Sequence, residues 1–230
     1  MRNREARRDA AMPYELHRTL VSRGFGKDIE RSGRILFRLE PEREAREHGG
    51  PLVMVQSSGV APQWAGLLPD YYVRIDGPRT FEPKIERGQL LGFRLLANPV
   101  ERQRQRDDAG NVLRSTGEKQ HVRFHRRALL RPEEQEQWLE RQGIVRISDE
   151  TGTTVGGFTL RFVTIAPEAG TRQRSGEITH ASKRSLPHVG VRFDGVLEVT
   201  DADAFINTLA AGIGPAKAFG FGYLSVAPLR

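Results

Sequence analysis

The sequence contains no cysteine, which excludes disulfide bonds, thiolate catalysis and cysteine-ligated zinc. It also lacks an apolar run long enough to serve as a signal peptide or to span a membrane, and its first residues, Met1 to Asp9, are strongly charged. Aromatic residues make up only 7% of the chain, and the mean hydropathy is −0.52. We therefore expect a soluble cytoplasmic protein that has no membrane partner.

The charge balance favours an anionic partner. The 230 residues include 36 Lys and Arg against 29 Asp and Glu, which gives a net charge of +7 and a pI near 10.2. Arginine outnumbers lysine, as suits bidentate phosphate contacts, although a GC-rich genome would produce the same bias. The length allows one domain or two small ones with a hydrophobic core.

A glycine-rich segment lies near the C-terminus, around Lys217. Bare backbone of this kind can bring its N–H groups close to a phosphate chain. The segment does not match a mononucleotide P-loop, because Ala218 follows the lysine, nor a dinucleotide fingerprint. The alternative is a tight connection from a helix to a strand. The candidate phosphate-binding glycines are Gly212, Gly214, Gly220 and Gly222.

Two stretches of helix and strand patterns are separated by a polar segment. The first has a helix over 13–23, a helical turn around Trp64, and strands over 35–40, 52–57 and 89–97. The second has a helix over 132–142, strands over 158–165 and 189–199, a helix over 201–211 and a last strand over 223–227. We therefore predict an α+β protein with a domain over 1–98, a linker over 99–117 and a domain over 118–230.

His17 is the candidate catalytic residue. It lies three positions after Tyr14, so both rings share one face of the first helix while Leu16 and Leu20 supply the buried stripe. Imidazole can accept and donate a proton near neutral pH, and a phenol beside it can orient or relay that proton. This pair could cleave RNA without a metal or other cofactor. The alternative is a surface histidine beside a partly buried tyrosine.

Arginines and lysines form the other candidate contacts with RNA. His121 and His125 have the spacing of a metal pair on a helix, but the arginines around them favour a solvated or RNA-facing basic stretch. A second basic segment, between two predicted strands, is expected to be either an RNA-binding hairpin or a disordered surface loop. The predicted RNA-binding cations are Arg18, Arg23, Arg172, Arg174, Lys183, Arg184 and Lys217.

Several segments, in the same order along the chain, resemble the CRISPR-associated precursor-RNA endoribonucleases of the E subtype, the CasE family. The resemblance spans nearly the whole chain. The matching segments are Ala6-Arg7-Arg8-Asp9, Pro13-Tyr14-Glu15-Leu16-His17-Arg18-Thr19-Leu20, Phe93-Arg94-Leu95-Leu96-Ala97-Asn98-Pro99, Trp138-Leu139, Phe193-Asp194-Gly195-Val196-Leu197 and the glycine-rich segment from Gly212 to Gly222.

The resemblance implies tandem ferredoxin-like (RAMP-type) domains and metal-independent cleavage of a CRISPR repeat stem-loop at its 3′ base. The products would carry 2′,3′-cyclic phosphate and 5′-hydroxyl ends, and the protein would keep the guide RNA and join other Cascade subunits. The catalytic histidine of the family corresponds to His17 and its tyrosine partner to Tyr14. Its groove-binding basic hairpin corresponds to residues 172–184.

The sequence departs from the family pattern at two places. Some members carry a lysine soon after the histidine, where this chain has Ser22 followed by Arg23. Members also begin with an apolar strand before the Ala-Arg-Arg-Asp segment, whereas this sequence starts directly at Met1-Arg2. We therefore expect the N-terminal domain to lack its first strand, through a downstream start codon or a truncation, and to expose a sheet edge.

Two further functions fit the same residues. A non-catalytic subunit that caps a guide RNA in a Cascade-type complex would have the same fold and the same basic surfaces. A general nucleic-acid-binding protein would show steep salt dependence and little preference for hairpins. Cleavage of a repeat hairpin distinguishes the endoribonuclease from both.

Overall fold

A computed structural model describes residues 3–26, 33–40, 50–105, 107, 110–112, 124–167 and 188–229. Its N-terminal elements are α1 (Arg4–Ala11), α2 (Pro13–Thr19), a π-helical segment (Leu20–Phe25), β1 (Arg34–Leu39), β2 (Val53–Ser58) and a short 3-10 helix (Trp64–Gly66). The following elements are β3 (Leu90–Ala97), β4 (Val100–Arg104), β5 (Phe124–Ala128), α3 (Pro132–Gly143), β6 (Arg146–Ile147), β7 (Thr154–Val155), β8 (Phe158–Pro167), β9 (Val191–Val199), α4 (Ala202–Ala211), a 3-10 helix (Lys217–Phe219) and β10 (Leu224–Pro228).

Helix α2 packs against the antiparallel pair of β1 and β2. Leu16 and Leu20, the predicted buried stripe, are 4% and 3% exposed and lie in one hydrophobic cluster with Phe25 and Phe37. Pro13 begins the helix because its fixed φ suits the first helical position. The predicted helix, both predicted strands and the helical turn at Trp64 are confirmed in this part of the chain.

The sequence reasoning missed helix α1, whose end is tied to α2 through a buried carboxylate. Asn3 caps α1 by accepting a hydrogen bond from the Ala6 backbone N–H at 3.0 Å. Near the other end, Asp9 Oδ2 accepts hydrogen bonds from Thr19 Oγ1 and Tyr71 Oη, both at 2.6 Å. Burial, together with the hydrogen bond to Asp9, raises the pKa of Tyr71. Because Thr19 ends α2, this carboxylate fixes the angle between the two helices.

The C-terminal part forms a four-stranded antiparallel sheet in the order β10-β3-β9-β8. Helix α3 connects β3 to β8, and α4 connects β9 to β10, so the chain order is β-α-β-β-α-β, a ferredoxin-like unit. Asp201 caps α4 by accepting a hydrogen bond from the Ala204 N–H at 2.9 Å. The predicted α+β class with ferredoxin-like architecture is confirmed.

The strand pairing gives a different division of the chain from the one that the sequence suggested. The strand over 89–97 was expected to end the N-terminal domain, yet β3 pairs with β9 and β10. The linker predicted over 99–117 also contains β4, which pairs with β5. We propose that the C-terminal domain begins before Leu90, because its sheet is incomplete without β3.

A network of charged side chains joins β1 to the C-terminal sheet. Arg38 and Glu40, whose side chains are 5% and 4% exposed, form an ion pair at 2.6 Å. Arg38 also donates to the backbone carbonyls of Arg94 and Tyr223, and Arg94 donates to Glu40 at 3.3 Å. These bonds hold β1 against β3 and β10. The face of β1 that carries Phe37 is thereby positioned relative to the C-terminal strands.

Among the described residues, no helix combines the length and the apolar character that crossing a lipid bilayer requires.

Candidate active site

His17 lies on α2 with one face of its imidazole against the core. Its ring is 6.1 Å from the ring of Phe37, centroid to centroid, and the two planes are 15° apart. Phe37 is completely buried, and Leu16 and Leu20 anchor the helix beside it. His17 is half-buried and lines an open cleft of about 600 Å3. The packing therefore fixes the imidazole while leaving it accessible to a substrate in the cleft.

Tyr14 lies beside His17 in the same cleft. The centroids of the two rings are 6.4 Å apart, as the spacing of three residues predicted. The Tyr14 ring also stacks on Phe219, from the glycine-rich segment, at 5.2 Å and 25°. With 36% of its surface exposed, Tyr14 can contact both His17 and a bound molecule. The position of the pair is confirmed, and its catalytic role stays a prediction.

The cleft also contains arginines, each of which is paired with a glutamate. Arg18 donates to Glu15 at 3.2 Å, and Arg23 donates to Glu5 at 2.7 Å. Their side chains are 56% and 42% exposed, so the pairs are weak and can exchange their carboxylates for a phosphate. Ser22, at the position where some relatives carry a lysine, donates its hydroxyl to the Arg18 carbonyl at 2.7 Å. The predicted RNA contacts of both arginines stay predictions.

The four glycines of the C-terminal segment share a positive φ, between 72° and 88°. The backbone N–H groups of three of them serve the fold rather than an anion site. The amides of Gly212, Gly220 and Gly222 donate to the carbonyls of Thr208, Lys217 and Leu96, respectively, at 2.7–3.0 Å. An RNA contact through these amides stays a prediction that the geometry does not favour. The segment instead carries Phe219 to the Tyr14 ring.

Close packing explains the glycine at position 212. A Cβ atom there would lie 2.8 Å from the Gly222 carbonyl oxygen and 2.8 Å from Leu36 Cδ2. We expect Gly212→Ala to lower the free energy of unfolding by about 2–3 kcal/mol, through backbone strain and overpacking together. Equilibrium unfolding in urea measures the change.

Gly26→Ala is the matched control for this substitution. Gly26 has a φ of 76° and a ψ of 167°, close to the 72° and 166° of Gly212, but a Cβ there would meet no atom of the described residues within 4 Å. The substitution should cost only the backbone strain of this glycine-favouring conformation, about 1–2 kcal/mol. If the two substitutions destabilise the protein equally, the contacts of Gly212 do not explain its presence.

Lys217 does not face the cleft. Its Nζ donates to Glu150 at 2.9 Å and to the Gly214 carbonyl at 2.8 Å, and its side chain is 15% exposed. Burial lowers the pKa of Lys217, although the bond to Glu150 opposes that change. Arg34 also pairs with Glu150, at 2.8 Å. The structure thus places the predicted phosphate-binding lysine in a cluster that holds the glycine-rich segment, and RNA binding by it stays a prediction.

The sequence reasoning missed His188, which it assigned to polar, turn-rich surroundings. Its ring packs 4.4 Å from Phe219 and 6.2 Å from Phe221. Asn98 Nδ2 lies 3.2 Å from His188 Nδ1. Burial, and secondarily the charge of Arg126, lowers the pKa of this imidazole. His188 is therefore connected to Tyr14 through Phe219.

Part of the predicted RNA-binding set falls outside the described residues. His121 lies outside them as well, whereas His125 is exposed on β5. Within the described ranges, no group of three or more His, Asp or Glu side chains has a geometry that could hold a metal ion. The undescribed set comprises Arg172, Arg174, Lys183 and Arg184.

Comparison with known proteins places this chain among CRISPR-associated proteins. Residues 1–228 match the family model described as CRISPR associated protein. The CRISPR-associated endoribonuclease Cse3 of Thermus thermophilus is 37% identical over 98% of this chain and 95% of its own length. The CRISPR system Cascade subunit CasE of Escherichia coli is 27% identical over 93% of this chain and 99% of its own length.

The fold is similar to that of a solved relative with bound RNA. A structure of the CRISPR endoribonuclease Cse3 bound to a 19-nucleotide RNA superimposes with a TM-score of 0.67 and 36% identity. The match covers 99% of this chain and 94% of that one.

Proposed function

This chain belongs to the family of CRISPR-associated endoribonucleases that includes Cse3 and CasE, and on that premise we propose that it cleaves precursor CRISPR RNA at the 3′ base of the repeat stem-loop. The observation that carries the proposal is the placement of His17. A half-buried imidazole stacks on Phe37, lies beside Tyr14 and faces an open cleft. That environment suits a group that must move a proton at a fixed position.

The proposed reaction uses the nucleophile that RNA itself carries. The ribose 2′-oxygen attacks the adjacent phosphorus, a new P–O2′ bond forms, and the P–O5′ bond breaks. A base accepts the 2′-hydroxyl proton, and an acid donates a proton to the leaving 5′-oxygen. The products end in a 2′,3′-cyclic phosphate and a 5′-hydroxyl. His17 and Tyr14 together supply this proton transfer, and each positioned group contributes about 10²–10⁴-fold.

Positive charge in the cleft completes the proposed site. The phosphorane formed by in-line attack carries extra negative charge on its non-bridging oxygens, and a nearby guanidinium stabilises it. Arg18 and Arg23 line the same cleft as His17. When RNA binds, its phosphates replace Glu15 and Glu5 as their partners, since both ion pairs are partly exposed.

We also propose that the protein keeps the processed RNA and joins other Cascade subunits in the cytoplasm. One of its relatives is named a Cascade subunit, and a structure of another contains bound RNA. A purely RNA-capping subunit would need the same surfaces, but it would not need an imidazole fixed beside a tyrosine in an open cleft. The placement of His17 therefore favours the catalytic function over the purely structural one.

A single-turnover assay tests the proposed function. Purified protein in EDTA should cut the host's own repeat hairpin once and leave a cyclic phosphate on the upstream fragment. The same RNA with a 2′-deoxy sugar at the cleavage position should bind but stay intact, because it lacks the nucleophile. Tight binding without cleavage of the all-ribose hairpin would favour the structural subunit, and cleavage that needs a divalent metal would overturn the proposed mechanism.

A further inference from the structure

The β4–β5 hairpin has two faces of different chemistry. Opposed residues of an antiparallel pair lie on the same face, so Arg102 shares a face with Arg126, and Arg104 shares that face with Phe124. We call these four residues the arginine face. The opposite face carries Glu101 and its partner Arg127, which form an ion pair at 3.0 Å, together with Gln103 and His125.

The arginine face carries positive charge that no acidic side chain of the described residues compensates. Its three arginines are all exposed, and none forms an ion pair within the described part of the chain. Arg102 stands directly opposite Arg126, an arrangement of like charges that destabilises an isolated pair of strands. A bound polyanion would remove that repulsion. The chemistry of this face therefore fits a phosphate backbone.

The same face also offers a flat surface for an unpaired base. The Arg102 guanidinium lies over the Phe124 ring at 3.8 Å, and 38% of Phe124 is exposed. A guanidinium that lies over an aromatic ring can present its outer side to a base, as in proteins that bind single-stranded RNA. Bases inside a duplex are already stacked on both of their faces and cannot use such a surface. The combination of arginines with an exposed ring therefore favours single-stranded RNA over a duplex.

The hairpin starts next to the candidate active site. Asn98, two residues before β4, contacts His188 at 3.2 Å. The His188 ring packs on Phe219, and Phe219 stacks on Tyr14. Arg126 is near enough for its charge to contribute to the lowered pKa of His188. A chain of contacts through His188 and Phe219 thus links the start of the hairpin to Tyr14.

We propose that the arginine face binds the single-stranded RNA segment on the 3′ side of the cleavage site. The inference rests on the proposed function, in which the cut lies at the 3′ base of the stem. Nucleotides on the 5′ side of the cut are paired in the stem, whereas those on the 3′ side are unpaired and can stack. Because this segment leaves with the downstream product, the arginine face strengthens the binding of uncut precursor and does not retain the processed guide.

The test is the binding of three uncleavable RNAs, each with a 2′-deoxy sugar at the cut: the bare stem-loop, the stem-loop with a 3′ extension and the stem-loop with a 5′ extension. The variant Arg102→Gln/Arg126→Gln should bind the 3′-extended RNA about tenfold more weakly than the unmodified protein does. It should bind the other two RNAs as tightly as the unmodified protein does. The slope of log K against log salt for the 3′-extended RNA should fall by about 1.4, which corresponds to two phosphate contacts.

Two further variants sharpen the test. Arg74→Gln/Arg79→Gln removes the same charge from side chains that are both 79% exposed and do not belong to the hairpin, and it should leave all three affinities unchanged. Phe124→Ala keeps the charge but removes the ring under Arg102, and it should weaken only the 3′-extended complex, by about threefold to tenfold.

Four results would overturn the inference. If the variant bound the bare stem-loop as much more weakly as it bound the 3′-extended RNA, the arginine face would contact the stem. If only the 5′-extended RNA bound more weakly, the face would contact RNA on the 5′ side of the stem. Unchanged RNA binding with lost assembly of other Cascade subunits would make it a protein interface. If the unmodified protein bound none of the three RNAs, the proposed function would fail together with this inference. If the unmodified protein binds the RNAs and only the variant prefers the wrong one, this inference fails and the proposed function stands.

Discussion

His17→Ala should lower the single-turnover cleavage rate of a repeat hairpin by about 10³-fold or more, while hairpin affinity changes less than about threefold. The substitution removes the proton-transfer group but leaves the cleft, because Phe37 and Leu16 are packed into the core and hold α2 in place. Loss of rate without loss of binding is the signature of a group that acts in the transition state. Rates under saturating enzyme in EDTA, together with filter binding of the 2′-deoxy hairpin, measure the two quantities.

The matched control is His125→Ala, which removes another histidine. His125 is exposed on β5 and lies on the face of the hairpin that carries the Glu101–Arg127 pair, opposite the arginine face. The His125→Ala variant should cleave the hairpin at the rate of the unmodified protein. Cleavage by His17→Ala at more than about a tenth of the unmodified rate would assign proton transfer to another residue, because a positioned acid–base group contributes at least about 10²-fold.

Local patterns were enough to predict the part of the site that lies on one helix. Leu16 and Leu20 recur at helical spacing, so the sequence defines the buried side of α2 and with it the side that carries Tyr14 and His17. Alternation of apolar and polar residues likewise predicted the strands β3, β8, β9 and β10, and the predicted ends lie within a few residues of the observed ones. These elements have a hydrophobic face, and hydrophobic periodicity is the signal that a sequence carries most clearly.

The β4–β5 hairpin was missed because it has no such face. The segment Glu101-Arg102-Gln103-Arg104 is polar throughout, which is also the composition of a linker. Its strands are held by pairing with each other and by contacts such as the Glu101–Arg127 ion pair. A strand whose two faces are both polar gives no alternation to detect. Its partner β5 begins only at Phe124, so no tight turn marks the pairing either.

The glycine-rich segment shows how one composition fits two structures. Positive φ angles and close backbone approach suit a phosphate loop, and they equally suit a segment packed against large side chains. Here a Cβ at Gly214 would lie 2.9 Å from Trp138, and one at Gly220 would lie 3.2 Å from Phe37. Those contacts come from α3 and β1. Only the tertiary fold distinguishes the two interpretations, and it also brings Phe219 to Tyr14.

Asp9→Ala should lower the free energy of unfolding by about 3 kcal/mol, the largest stability loss that we expect from a single substitution outside the hydrophobic core. The Asp9 side chain is 1% exposed and accepts hydrogen bonds from Thr19, Tyr71 and Arg8. Removing the carboxylate leaves the hydroxyls of Thr19, which is buried, and Tyr71 without their acceptor. Since Asp9 joins α1 to the end of α2, the cleft around His17 should loosen as well. Urea unfolding and the cleavage rate of the same variant measure both effects.

Asp76→Ala is the control that separates burial from charge. Asp76 also lies beside arginines, with Arg79 at 2.9 Å and Arg74 at 3.8 Å, but its side chain is 64% exposed. Solvent screens that interaction, so its removal should cost less than about 1 kcal/mol. The difference between the two losses in free energy of unfolding measures the effect of leaving the Thr19 and Tyr71 hydroxyls without the acceptor that joins α1 to α2. Equal losses would mean that Asp9 contributes only its charge. The position of α2, which carries His17, would then depend on the packing of Leu16 and Leu20 alone.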